Sequence, residues 1–117
     1  MGSGIAYVFA QHGFTTILFD LDHNALAKAK ERIEKKMPGA SIIYTSNIRD
    51  CIAGLVIEAI IEKEDIKVKL FNQLAEINPA ETIFATNTSS LPVTAIAEKT
   101  VRPAQLAGMH FFNPAPV

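Results

Sequence analysis

Apolar positions follow two rhythms along this chain. Five short runs, "TTILF", "SIIYT", "GLVIEAII", "ETIFAT" and "AQLAGMHFF", are rich in β-branched and aromatic residues and bounded by turn formers, as strands are. Between them the apolar positions recur every three to four residues. "SGIAYVFAQHG" sets Ile5, Val8 and Phe9 with the small Gly2, Gly4 and Ala6 at helical spacing, and Gly13 stands where a helix stops. "NALAKAKERIEKK" carries a thin stripe, Leu26 and Ile33, among charges, which predicts a surface helix broken by "MPGAS". "NIRDCIA" reads as one or two helical turns. "EDIKVKLFNQLAEI" lines up Ile66, Leu70, Leu74 and Ile77 on one face with charges opposite. Pro92 opens a short helix to about Ala97.

Strands alternating with helices predict a parallel sheet with helices on its faces. "GLVIEAII" is almost wholly apolar, the pattern of a strand buried on both faces. No repeat, low-complexity tract or linker divides the 117 residues, so one domain over 1–117 is expected.

Charge removes some classes of partner. Eleven Lys and Arg against twelve Asp and Glu leave a net charge of −1, which argues against a nucleic-acid footprint or an electrostatic membrane anchor. No apolar run approaches the ~20 residues of a membrane span, and no cationic leader with an apolar stretch precedes the fold. Cys51 is the one cysteine; no internal disulfide is available, which fits a reducing cytosol and a cytoplasmic location.

Two stretches carry chemistry. The first is Gly2 to Asp20. A dinucleotide site uses G-x-G-x-x-G after a strand, with an acidic residue about 20 positions on. The glycines let backbone approach a pyrophosphate at a helix N-terminus. The carboxylate accepts from ribose hydroxyls and repels a 2′-phosphate, favouring NAD over NADP. Only one fingerprint glycine is available, Gly2 as the third. The alternative is a helix start rich in small residues for packing and an Asp that ends a strand.

The second is the pair "ATNTSSL" and "AGMHFFNP", each following a strand. Ligands of open parallel sheets sit beyond the carboxyl ends of the strands, so Ser89 and His110 are expected on one edge, with Asp20. A hydroxyl beside an imidazole suits nucleophilic catalysis, with His as base. It equally suits alcohol oxidation, with His taking the hydroxyl proton and Ser holding the oxygen; a dinucleotide site favours the oxidation. The alternative is that both residues merely cap local structure. Glu58 inside an apolar run needs a partner if buried. Glu62 and Lys67 stand at a strand–helix turn, either against a cofactor or as exposed residues opening a helix. His12 and His23 read as surface residues and Cys51 as packing. No metal-ligand spacing is present.

Together "MGSGIA", "LFDLD", "VIEAIIE", "FATNTSSL" and "GMHFFNPAPV" resemble the NAD-binding domain of the 3-hydroxyacyl-CoA dehydrogenases, the 3-hydroxybutyryl-CoA enzymes in particular, over almost the whole chain. The resemblance implies a Rossmann-type, doubly wound parallel α/β fold. It implies NAD as cofactor, an acyl-CoA substrate, and interconversion of (3S)-3-hydroxyacyl-CoA and 3-oxoacyl-CoA in β-oxidation or butyrate metabolism. By resemblance Gly2 is the last glycine of the phosphate turn and Asp20 the ribose carboxylate. Glu62 and Lys67 are a cofactor-contacting pair, Lys67 also approaching the acyl-CoA. Ser89 holds the substrate oxygen, His110 is the catalytic base, and Asn113 lies near the nicotinamide.

The chain also departs from the family. The first strand, its two glycines, the glutamate that pairs with the catalytic histidine and the helical C-terminal domain that forms the dimer are not in it. The connection after Asp20 is short where the family has a long helical hairpin. The chain alone is therefore expected to be inactive, and the two strands flanking the missing first one, "TTILF" and "GLVIEA", are expected to pair directly. A related 3-hydroxy-acid dehydrogenase acting on a sugar acid or carnitine, and a non-catalytic ligand-binding fragment, are the rival readings.

Overall fold

The computed structural model of the protein describes residues 2–111. It comprises two compact units, residues 2–50 and 51–111. The first runs α1 (Gly2–Gln11), β1 (Thr16–Phe19), α2 (His23–Lys36), β2 (Ile42–Thr45) and a single turn at Ile48–Asp50. β1 and β2 pair in parallel, Thr16 opposite Ile42 and Phe19 opposite Thr45. Gly13 ends α1 with φ +87°, a left-handed conformation that side chains strain to adopt, as its position predicts. Asp22 caps α2 by accepting from the N–H groups of Asn24 and Ala25 at 2.9 and 3.2 Å. Ile5 and Ala6 of α1, with Ala29 and Ile33 of α2, are buried.

The second unit runs β3 (Leu55–Glu58), α3 (Glu64–Ile77), β4 (Ile83–Thr86), α4 (Val93–Glu98), a turn at Pro103–Gln105 and β5 (Leu106–Gly108). Its parallel sheet has the order β3-β4-β5. β4 is central, and Phe84, Ala85 and Thr86 are buried. Phe84 meets Phe71 of α3 edge to face, centroids 5.9 Å apart. Arg102 ties down the end of α3: its guanidinium donates to the carbonyl of Ala75 in the last turn and to those of Asn78 and Pro79 just beyond it, at 2.7 Å each; a cation there also suits the helix dipole.

The elements fall where the sequence puts them, but three expectations fail. Among the described residues no ladder joins β1 to β3. β1 pairs with β2 and β3 with β4, in two separate ladders, so the direct pairing expected of "TTILF" and "GLVIEA" is not found. β3 is not buried on both faces: it is an edge strand, Leu55 is partly exposed, and the buried residue of the run is the charged Glu58. The buried face of α3 is Lys67, Phe71, Leu74 and Ala75, with Ile66 exposed. The helix is turned by about one residue from the predicted stripe because Lys67 is drawn inward to Glu58.

Candidate active site

The carboxyl edge of the β3-β4-β5 sheet gathers most of the residues marked in the sequence. Glu58 ends β3 and is 3 % exposed. Its Oε1 accepts from the Thr86 hydroxyl at the end of β4, 2.6 Å away. Its Oε2 accepts from Ile60 N–H at 2.7 Å and from the Lys67 ammonium at 2.5 Å. A buried carboxylate in an apolar run thus has the partners its burial demands.

Lys67, on the first turns of α3, is 1 % exposed. Its Nζ lies 2.5 Å from Glu58 Oε2, 3.2 Å from Glu62 Oε1 and 3.4 Å from the Ile60 carbonyl. An ammonium has three protons, and three acceptors surround this one. The geometry therefore makes Lys67 a hub that holds Glu58 and Glu62, rather than the exposed residue opening a helix that one reading of the sequence allowed.

Glu62 carries that order outward. Its Oε2 accepts from Ser89 N–H at 3.2 Å and from the Ser90 hydroxyl at 3.0 Å, so it clamps the loop after β4. Burial pushes its carboxyl up. Hydrogen bonds from the Thr88 hydroxyl, Ser89 N–H, Lys67 and Ser90 outweigh that and hold it down at about 2. The Thr88 oxygen also accepts from Leu91 N–H at 3.0 Å, closing the turn.

Ser89 lies three residues beyond β4, and His110 two residues beyond β5; both are exposed. The strands are adjacent and parallel, with Thr86 opposite Gly108, so the two segments leave the same edge of the sheet. This is the placement the sequence predicts for the pair. Gly108 permits α4 to lie close to β5: a Cβ there would stand 3.1 Å from Val93 Cγ2.

Asp20 follows β1 in the first unit and is exposed. Its Oδ1 accepts from Asp22 N–H at 3.0 Å, and its own N–H donates to the Thr45 carbonyl at 3.2 Å. Gly2 opens the ten-residue α1, and a Cβ there would meet only Leu18 Cδ1, at an ordinary 4.0 Å. Packing in this unit does not demand glycine at position 2. An exposed carboxylate and a glycine-led helix N-terminus are the groups a ribose and a pyrophosphate need, so the residues present fit a dinucleotide. Asn113 lies outside the described residues. Among the described residues there is no group of three or more candidate metal ligands, and no helix is long and apolar enough to cross a membrane. Cys51 is buried, as expected, and His12 and His23 are exposed.

The fold, parallel strands with helical crossovers and chemistry at their carboxyl ends, is that of a Rossmann-type dehydrogenase. The family described as "3-hydroxyacyl-CoA dehydrogenase, NAD binding domain" matches residues 1–117, and the chain belongs to it. A probable 3-hydroxybutyryl-CoA dehydrogenase of Deinococcus radiodurans is 42 % identical over 133 positions, covering all of this chain and 48 % of that protein. The mitochondrial hydroxyacyl-coenzyme A dehydrogenase of Homo sapiens is 39 % identical over 140 positions, covering all of this chain and 45 % of that one. The crystal structure of 3-hydroxybutyryl-CoA dehydrogenase from Escherichia coli K12 superposes with a TM-score of 0.87 at 40 % identity, over all of this chain and 28 % of that one. The chain thus spans about half or less of the length of these relatives. Alignments of 133 and 140 positions against 117 residues mean that these relatives carry stretches with no counterpart here.

Sequence reasoning missed Asn87, whose side chain accepts from Phe111 N–H at 2.7 Å, and Arg102. An Asn in "TNTSS" reads as turn chemistry, and an Arg before Pro reads as surface. Glu58 had a signal, a charge inside an apolar run.

Proposed function

We propose that residues 1–117 form the NAD-binding part of a 3-hydroxyacyl-CoA dehydrogenase that interconverts (3S)-3-hydroxyacyl-CoA and 3-oxoacyl-CoA. The observation that carries this reading is the exit of the Ser89 loop and the His110 segment from adjacent parallel strands, with the loop clamped by Glu62. NAD, when bound, would supply the hydride acceptor. The His110 ring nitrogen takes the proton of the substrate hydroxyl, and the Ser89 hydroxyl holds the same oxygen. Asp20 would accept from the adenosine ribose hydroxyls, and the N-terminus of α1 at Gly2 would hold the pyrophosphate. Asn113 contributes near the nicotinamide. Lys67 acts through Glu62 rather than by touching cofactor or acyl-CoA, since Glu58, Glu62 and Ile60 surround its ammonium.

The reading extends to a cytoplasmic enzyme of β-oxidation or butyrate metabolism, a homodimer as a whole protein. It also includes the expectation that the 117-residue chain alone is inactive, since the chain spans about half or less of the length of the relatives it matches. The test titrates the chain with NAD and then assays NADH formation with 3-hydroxybutyryl-CoA. Saturable NAD binding with negligible turnover is expected. No NAD binding overturns the cofactor reading, and turnover matching a full-length relative overturns the inactivity.

A further inference from the structure

Asn87 stands where three chain segments diverge. Its own N–H donates to the Glu58 carbonyl at 2.9 Å, the last tie between β3 and β4. One step along the other side of β4, Met109 N–H donates to the Thr86 carbonyl at 3.0 Å. A parallel ladder continued in this register would next take Phe111 N–H to the carbonyl of Thr88. Instead Phe111 N–H donates to the Asn87 side-chain Oδ1 at 2.7 Å. The side chain takes over from the ladder. Residues 88–91 are then released into the turn closed by Thr88 and held by Glu62, which carries Ser89. His110 is left bracketed between two hydrogen bonds to the end of β4, through Met109 before it and Phe111 after it.

We propose that Asn87 is a positioning residue for His110: its Oδ1 substitutes for a ladder carbonyl, fixing the His110 backbone while freeing the Ser89 loop to take a different course. The purpose of that placement rests on the dehydrogenase reading above; the placement itself does not. Alanine removes the acceptor. Aspartate keeps an Oδ1 at the same reach, so it rescues what alanine loses if the acceptor is what matters.

The experiment compares wild type, Asn87→Ala and Asn87→Asp. Amide hydrogen exchange at Met109 and Phe111 and the His110 ring resonances are followed by NMR in this chain. In a full-length dehydrogenase of the family carrying this domain, kcat and the KM for NAD are measured. In Asn87→Ala, Phe111 exchange is expected to rise at least about tenfold, Met109 exchange to change less than about threefold, and the His110 signals to move. kcat is expected to fall about tenfold or more with KM for NAD nearly constant, and Asn87→Asp to recover most of each change. Phe111 exchange equal in wild type and Asn87→Ala, or His110 signals identical in all three, overturns the proposal. Should Asn87→Ala not fold, wild-type Phe111 decides: a protected amide supports the bond, and exchange at the unprotected rate overturns it. Failure of the wild-type chain to bind NAD would count against the dehydrogenase reading and leave the NMR outcome standing.

Discussion

Replacing Lys67 by methionine isolates the most buried charge pair among the described residues. The Lys67 and Glu58 side chains are 1 % and 0 % exposed, and their 2.5 Å contact is completed by Thr86 and Ile60 N–H on the carboxylate. Methionine fills much the same volume but leaves Glu58 as a buried carboxylate with no cation. Removing one partner of such a pair costs about 3–5 kcal/mol. Domains of ordinary stability have about 5–15 kcal/mol in all, so the loss is large. The cost arises from the charge left behind, and a second change should return most of it. Lys67→Met with Glu58→Gln carries no buried charge and should lie within about 1–2 kcal/mol of wild type. Thr86→Val, which removes one neutral donor, should cost about 1–3 kcal/mol. Urea unfolding at neutral pH, with the slope checked for constancy across variants, measures all four. A single Lys67→Met loss below about 1 kcal/mol, or a double variant no more stable than the single, would refute the reasoning.

Glu62 titrates at about 2 in the folded chain, below its ordinary 4.5, so the clamp it makes on the Ser89 loop contributes stability above pH 4.5 that is lost as pH falls through about 2. The Ser89 amide signal should follow that titration and lose it in Glu62→Gln; a midpoint near 4.5 would contradict the clamp. Gly108→Ala should destabilise by about 1–3 kcal/mol, because a Cβ 3.1 Å from the stiff Val93 side chain overpacks the α4–β5 contact, and Val93→Ala in the same chain should relieve it. Thermal unfolding checks this, and an unchanged midpoint in Gly108→Ala disproves the close contact. Asp20→Ala should weaken NAD binding roughly 10- to 100-fold, the worth of hydrogen bonds to a charged group, while leaving NADP binding equal or stronger. Calorimetric titration with both cofactors decides, and an unaltered NAD to NADP ratio rules out the ribose role.

What the sequence disclosed follows from which forces are local. β-branched runs, a capping Asp22 and a stop at Gly13 depend on neighbours in the chain, and those elements form where their patterns place them. Ser89 and His110 were legible as one edge because parallel strands oblige successive loops to emerge together. The face of α3 was not legible. Hydrophobic periodicity ranks lysine as solvent-facing, and only the distant Glu58 makes Lys67 an inward residue. β3 misled for the opposite reason: its apolar run signals burial, yet its position at the edge of its sheet leaves Leu55 partly exposed. The role of Asn87 depends on the register between β4 and β5, which no residue of the "TNTSS" stretch encodes by itself.

The central claim, that His110 moves the proton while other groups hold the cofactor, is tested most directly by His110→Ala in a full-length dehydrogenase of the family carrying this domain. Steady-state NADH formation gives kcat, and fluorescence titration gives the NAD dissociation constant. The account predicts that kcat falls by about 10²–10⁴, the usual contribution of a positioned general base, with NAD binding changed less than about threefold. A kcat that holds while NAD binding weakens sharply would make His110 a cofactor contact and contradict the account.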